Sequence, residues 1–217
     1  MRTWPDDFIN KIICGDCLEV MKEMPDECVD LVLTDPVWPN CLPFLAGANN
    51  PYELFKLAAE QFTRLTKRVV VHLGCSSDPR FLSAIPKEMP FIRACWLRYA
   101  IPSFRGRILI GSDVAYAFGC PPKSRKGYQL IPGEITSNSS IKKTEIKRKT
   151  HPCMRDLNHV KYLIDKFSLP GDLILDPFVG SGTTARAAKD LKRNFIGIEI
   201  NPDYCKIAEE RLAQGVL

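Results

Sequence analysis

The sequence predicts an α/β fold, a mostly parallel central sheet with helices on both faces. Two observations lead there. Short apolar runs of strand length alternate with longer stretches whose apolar residues recur at helical spacing, the pattern of strand-helix-strand units. Several of these runs also end in an acidic residue, and in open α/β sheets ligands sit beyond the carboxyl ends of the strands.

Lys11-Ile12-Ile13-Cys14 is the first strand, and Gly15-Asp16 leaves a carboxylate at its end. Leu18 to Met21 is a short helix that stops before Pro25, where a ring replaces the amide. The next buried strand, Cys28 to Thr34, runs into Asp35-Pro36-Val37-Trp38-Pro39-Asn40. From Pro51 to Thr66 the apolar residues Leu54, Leu57, Ala58, Phe62 and Leu65 keep a helical period, and the strand Val69-Val70-Val71-His72-Leu73 follows. Phe91 to Tyr99 and Val114 to Phe118 supply two further strands.

From Cys120 to Thr150 periodicity is lost, and Pro121-Pro122, Pro132-Gly133 and Ser137-Asn138-Ser139-Ser140 appear beside Lys123, Arg125, Lys126, Lys142, Lys143, Lys147, Arg148 and Lys149. With few apolar residues to bury, this stretch reads as a basic excursion from one domain. Composition alone favours a solvated loop, and such a loop beside a cleft would also attract a phosphate backbone. Order returns with His151-Pro152 and a helix starting near Arg155 or Asp156, striped by Leu157, Val160, Ile164 and Phe167.

The most informative stretch comes next. Leu173-Ile174-Leu175, bounded by Pro170-Gly171 and Asp176-Pro177, reads as a central strand buried on both faces. Gly180 and Gly182 then let the backbone approach a ligand, and the helix from Thr183 to Leu191 turns its free amides toward it. Phe195-Ile196-Gly197-Ile198 ends in Glu199, at about the 20-residue spacing where nucleotide-binding folds place a carboxylate on ribose hydroxyls. The P-loop lysine and the full dinucleotide glycine fingerprint are both absent, so a nucleoside without a pyrophosphate fits best. Alone, Gly-x-Gly is equally an ordinary strand-to-helix turn. The last helix is capped by Asn201, has Pro202 in its first turn, and is expected to bury Tyr204, Ile207, Ala208 and Leu212.

The 217 residues, 45% hydrophobic and 25% charged, fit one globular domain spanning the chain. A net charge of +5 permits an acidic partner without requiring one. Nine cysteines without a framework, and no leader with an apolar core, lead us to expect reduced thiols in a cytoplasmic setting. No run reaches membrane-spanning length. Cys14 and Cys17 lack a second pair at zinc-ligand spacing, so no metal is expected.

Taken in order, Gly15-Asp16-Cys17-Leu18, Asp35-Pro36-Val37-Trp38, His151-Pro152, the run from Asp176 to Thr184, and Phe195 to Glu199 resemble the beta group of amino-directed DNA methyltransferases. The likeness spans nearly the whole chain. It implies a Rossmann-like methyltransferase domain, S-adenosyl-L-methionine as cofactor and double-stranded DNA as partner. It also implies that Asp176 and the turn of Phe178, Gly180, Ser181, Gly182 and Thr183 hold the methionine part, Glu199 the ribose, and that Asp16 lies near the cofactor adenine. The same resemblance makes Asp35 and the Pro36 carbonyl acceptors for the target amino group, and Trp38 a stacking surface for a flipped base. Asp35 stands where cytosine-directed relatives usually have serine, which points to adenine. The basic residues Lys123, Arg125, Lys126, Lys142, Lys143, Lys147 and Arg148 become candidate DNA contacts, with a homodimer or a separate specificity partner both open. The chain departs from the family at Arg155-Asp156, where lysine and proline are usual, and at Val37, where proline is usual. Valine restores an amide and loosens that turn, so the alternative expectations are a cytosine amino methyltransferase or a catalytically weakened, DNA-binding homologue.

Overall fold

The computed structural model describes residues 2–39, 41–74, 77–105, 107–122, 133–138 and 154–214. Among them, β1 (Lys11–Cys14), β8 (Asn194–Glu199), β7 (Leu173–Asp176), β2 (Leu31–Thr34), β3 (Arg68–Gly74), β5 (Ile108–Gly119), β4 (Phe91–Arg105) and β6 (Glu134–Ser137) lie side by side in that order. Pairings from β1 through β3 are parallel, β5 is antiparallel to both β3 and β4, and β6 is parallel to β4. The helices are α1 (Cys17–Lys22), α2 (Pro51–Leu65), α3 (Leu157–Phe167), α4 (Thr183–Asp190) and α5 (Pro202–Ala213).

Successive side chains in a strand point to opposite faces, so an unbroken apolar run serves two cores at once. Val32, Val69, Val71 and Leu175 enter one core with Phe55, Phe62 and Leu65 of α2 and Met21 of α1. Leu31, Leu33, Val70 and Ile174 enter the other with Leu163, Ile164 and Phe167 of α3 and the alanines of α4. The starts of α1, α3 and α5 are fixed by side-chain caps. The Asp16 Oδ1 accepts the Leu18 amide at 2.7 Å, the Asp156 Oδ1 accepts those of Asn158 and His159 at 2.9 and 3.1 Å, and Asn201 caps α5.

From β7 the chain passes to β8 on one side, and from β2 to β3 on the other. The sheet therefore divides between β7 and β2, which opens a crevice at their carboxyl ends. Asp176 and Asp35 stand there.

Four expectations need correction. The second strand begins at Leu31, because the Val29 amide bonds to the Leu65 carbonyl while Asp30 binds Leu173 through both its amide and its carboxylate. β4 and β5 are longer than their apolar segments, since they continue as a hairpin beyond the sheet. β6 falls inside the stretch expected to lack regular structure; its Glu-Ile-Thr-Ser sequence offers one apolar side chain, too little for a readable pattern. In α5, Cys205 and Ala208 are buried, whereas Tyr204, Ile207 and Leu212 are half-buried, because this helix packs at the edge of the sheet. His151-Pro152 lies outside the described residues.

Gly182 begins α4 with φ of 80°, and a Cβ there would lie 2.8 Å from the Ala208 Cβ. Gly182→Ala is expected to cost about 1–3 kcal/mol through backbone strain and overpacking. Thermal unfolding followed by circular dichroism checks this; an unchanged midpoint would refute the assigned role of that glycine.

Candidate active site

Asp176 ends β7 with its side chain inside the protein, at 3% exposure. Its Oδ1 accepts the Thr34 hydroxyl at 3.0 Å and the Phe178 amide at 3.1 Å. Burial pushes this carboxyl up to about 7, helped by the neighbouring Asp35 and opposed by hydrogen bonds from Thr184, Phe178 and Thr34. The following turn needs left-handed backbone at Gly180 and Gly182, which glycine adopts without steric cost. That turn is tied to β8: the Gly180 amide donates to the Glu199 Oε2 at 3.0 Å, and the Asn201 amide to Oε1 at 2.8 Å. Burial raises the Glu199 carboxyl, against the pull of these amides. Arg211 of α5 closes the far side by donating to the Thr183 hydroxyl at 2.7 Å, and it also reaches the Met154 sulfur.

The strongest charge contacts surround Arg155. Its Nε and Nη2 grip the two Asp35 oxygens at 2.5 and 2.7 Å, a bidentate fork. Its Nη1 donates to the Asp113 Oδ2 at 3.0 Å, and its guanidinium lies 4.8 Å from the centre of the Trp38 ring. Asp113 projects from β5 and also accepts the Tyr99 hydroxyl at 2.7 Å, with His72 Nε2 at 3.3 Å. Burial alone would raise the Asp113 carboxyl, but the His72 hydrogen bond and the Arg155 charge hold it well below the usual carboxylate range. Burial likewise works against charge on Arg155, and Asp35 overcomes it, so the guanidinium is held more firmly charged than usual.

Two cavities share a wall here. The larger, about 270 Å³, is bordered by Asp16, Asp35, Trp38, Phe178, Glu199 and Tyr204. The smaller, about 50 Å³, is bordered by Asp35, Asp176, Arg155, Ser181, Thr183 and Thr184. Asp35, Phe178 and Gly180 belong to both. The larger one has carboxylates at Asp16 and Glu199 and an apolar wall of Phe178, Ile198 and Ile200, a donor and acceptor set that fits a nucleoside with free hydroxyls. Backbone amides orient the Glu199 carboxylate, Gly180 on one oxygen and Asn201 on the other, with Ile200 contributing as well.

A family model described as DNA methylase, for the N6 and N4 class, matches residues 29–210. The chain belongs to this DNA methylase family. Its members are S-adenosyl-L-methionine-dependent DNA methyltransferases. Type II methyltransferase M.BglII of Bacillus subtilis is 26% identical, over 97% of this chain and 71% of its own. The M1.HpyAVI–SAM complex superposes with a TM-score of 0.70 at 25% identity, covering 94% of this chain and 99% of that one. The PvuII DNA methyltransferase, cytosine-N4-specific, shares the fold with a TM-score of 0.72 at 18% identity, over 97% and 90% of the two chains.

The fold of this methylase thus gathers Asp16, Asp35, Pro36, Trp38, Phe178, Gly180 and Glu199 around one cavity, and Asp176, Ser181 and Thr183 around its neighbour. Gly182 borders neither and instead packs on α5. Lys123, Arg125, Lys126, Lys142, Lys143, Lys147 and Arg148 lie outside the described residues. The sequence reading missed the network of His72, Tyr99 and Asp113 and the grip of Arg155 on Asp35. A polar residue interrupting an apolar strand was the available signal, in Val71-His72-Leu73 and in Asp113-Val114-Ala115. Among the described residues, no group of His, Cys, Asp and Glu is arranged to hold a metal, and no helix is long and apolar enough to cross a membrane.

A carboxyl raised on folding contributes stability below its unfolded value, near 3.9, and loses it as pH rises through the folded value, about 7 for Asp176. The wild type is therefore expected to lose thermal stability relative to Asp176→Asn between about pH 4 and pH 7, with a constant difference above. Melting curves that stay parallel across that window would contradict the buried carboxyl.

Proposed function

We propose that this methylase transfers a methyl group from S-adenosyl-L-methionine to the exocyclic amino group of adenine in double-stranded DNA. The observation that carries the reading is Asp35, which stands on the wall common to both cavities beside the Trp38 ring. Bound S-adenosyl-L-methionine supplies an electrophilic methyl on its sulfonium.

The protein's task is to make a poor nucleophile competent. An exocyclic amino lone pair is delocalised into the ring, and accepting the two amino hydrogens on the Asp35 carboxylate and the Pro36 carbonyl localises it. The cofactor, held by Asp16, Glu199 and the Gly180 turn, would supply the methyl, and the Asp35 carboxylate, already accepting an amino hydrogen, would take the proton that the nitrogen sheds. Arg155 orients Asp35 by two bonds while leaving a lone pair on each oxygen for the incoming amine. Glu199 and Asp16 serve the ribose and adenine of the cofactor, and Asp176 with the Gly180 turn its methionine end. A flipped base stacks on Trp38, and the basic residues between Lys123 and Arg148 bind the backbone of the duplex. Support for adenine comes from aspartate in the first position of the catalytic tetrapeptide.

The test is to incubate the protein with S-adenosyl-L-methionine and mixed-sequence duplex DNA, digest to nucleosides and analyse by mass spectrometry. N6-methyladenine is expected. N4-methylcytosine would overturn the base assignment, and the absence of any methylated base would overturn the activity and direct attention to Val37. Asp35→Ala is expected to lower turnover by about 10²–10⁴-fold while cofactor affinity by calorimetry stays within a few-fold. Arg155→Lys keeps the charge but loses the fork, and a fall in kcat of about tenfold is expected without a matching change in cofactor affinity.

A further inference from the structure

We infer that the hairpin of β4 and β5 is an arm that enters the major groove of duplex DNA beside the crevice, using Arg107 and the apolar side chains near its tip. The inference rests on the proposed action on duplex DNA and adds a contact surface to it.

Register fixes where the arm points. Gly74, at the carboxyl end of β3, pairs with Asp113, and β5 begins five residues earlier, at Ile108. At about 3.4 Å per residue the tip stands roughly 17 Å beyond Asp113. Asp113 is level with the catalytic carboxylate, because Arg155 bonds Asp113 at 3.0 Å and Asp35 at 2.7 Å. The arm therefore rises from the face on which a target base would enter. A two-stranded ribbon suits the major groove, about 12 Å wide and 8.5 Å deep.

Chemistry selects the partner. Ile101, Phe104, Ile108 and Leu109 are between 55% and 77% exposed, apolar surface of the kind that meets thymine methyl groups. From Tyr99 to Ser112, beyond the Arg98–Glu134 ion pair at the root, the sequence holds Arg105 and Arg107 and no carboxylate. Such a ribbon is complementary to phosphate and would meet like charge in a symmetric pairing with its own copy. The pairing shifts from Arg98 with Ser112 to Ser103 with Ile110, so Tyr99 to Pro102 bulge opposite Gly111 and re-aim the outer segment. Tyr99, in that bulge, donates its hydroxyl to Asp113 and anchors the root of the arm beside the site.

Binding of a fluorescent duplex is measured by anisotropy from 50 to about 200 mM salt for the wild type, Arg107→Ala, Phe104→Ser and, as control, Lys11→Ala at the amino end of β1. Arg107→Ala is expected to weaken binding and reduce the salt slope by about one. Phe104→Ser is expected to weaken it about tenfold at every salt concentration. Both variants should keep wild-type cofactor affinity and melting temperature, and Lys11→Ala should bind like the wild type. If the wild type binds duplex and the arm variants match it, the arm falls and the proposed function stands. If the wild type binds no duplex, both fall. A wild-type dimer that Phe104→Ser converts to a monomer, with DNA affinity unchanged, would assign the tip to a second copy and overturn the arm.

Discussion

Three carboxylates, Asp35, Asp113 and Asp176, converge where the sheet divides, and the protein meets their mutual repulsion with one guanidinium. Arg155 takes both oxygens of Asp35 and one of Asp113, while burial raises the Asp176 carboxyl to about 7 and so lowers its share of the negative charge. Removing one partner from a buried ion cluster typically costs about 3–5 kcal/mol, because the remaining charges keep their desolvation penalty without their compensation. The positions of β2, β5, β7 and the segment before α3 are thus linked by electrostatics as well as by packing.

That arrangement gives the departure at Arg155-Asp156 a physical content. Asp156 caps α3 through the amides of Asn158 and His159, so the helix starts immediately after the arginine. The cap sets the backbone from which Arg155 reaches Asp35, and the fork restricts that carboxylate to one plane. Lysine, a compact point charge with rotatable donors, would hold Asp35 without defining its orientation.

Much of the fold was legible because its strands are buried on both faces. Val69 to Val71 and Leu173 to Leu175 read as strands without alternation, and acidic residues at the strand ends located the crevice. The missed features have specific causes. β6 has a single apolar residue and depends on its neighbour β4 for identity. The outer hairpin had no core pattern to read, since its apolar residues face outward. Asp113 and His72 are separated by 41 residues and meet only because β5 returns antiparallel to β3. Cap residues were easier to place: Asn201 announced α5, although its burial stripe proved narrower than its apolar spacing implied.

The alternation along each strand also makes the sheet an insulator between two packing environments. Val70 and Val71 are chain neighbours, yet one shares a core with Leu163 and the other with Phe62. Changes at such neighbours act on different sets of side-chain contacts, whereas Val70 and Leu163, far apart in the chain, belong to one core and are subject to coupling there. Sequence distance is therefore a poor guide to which substitutions this domain tolerates together; the face of the sheet is the better one.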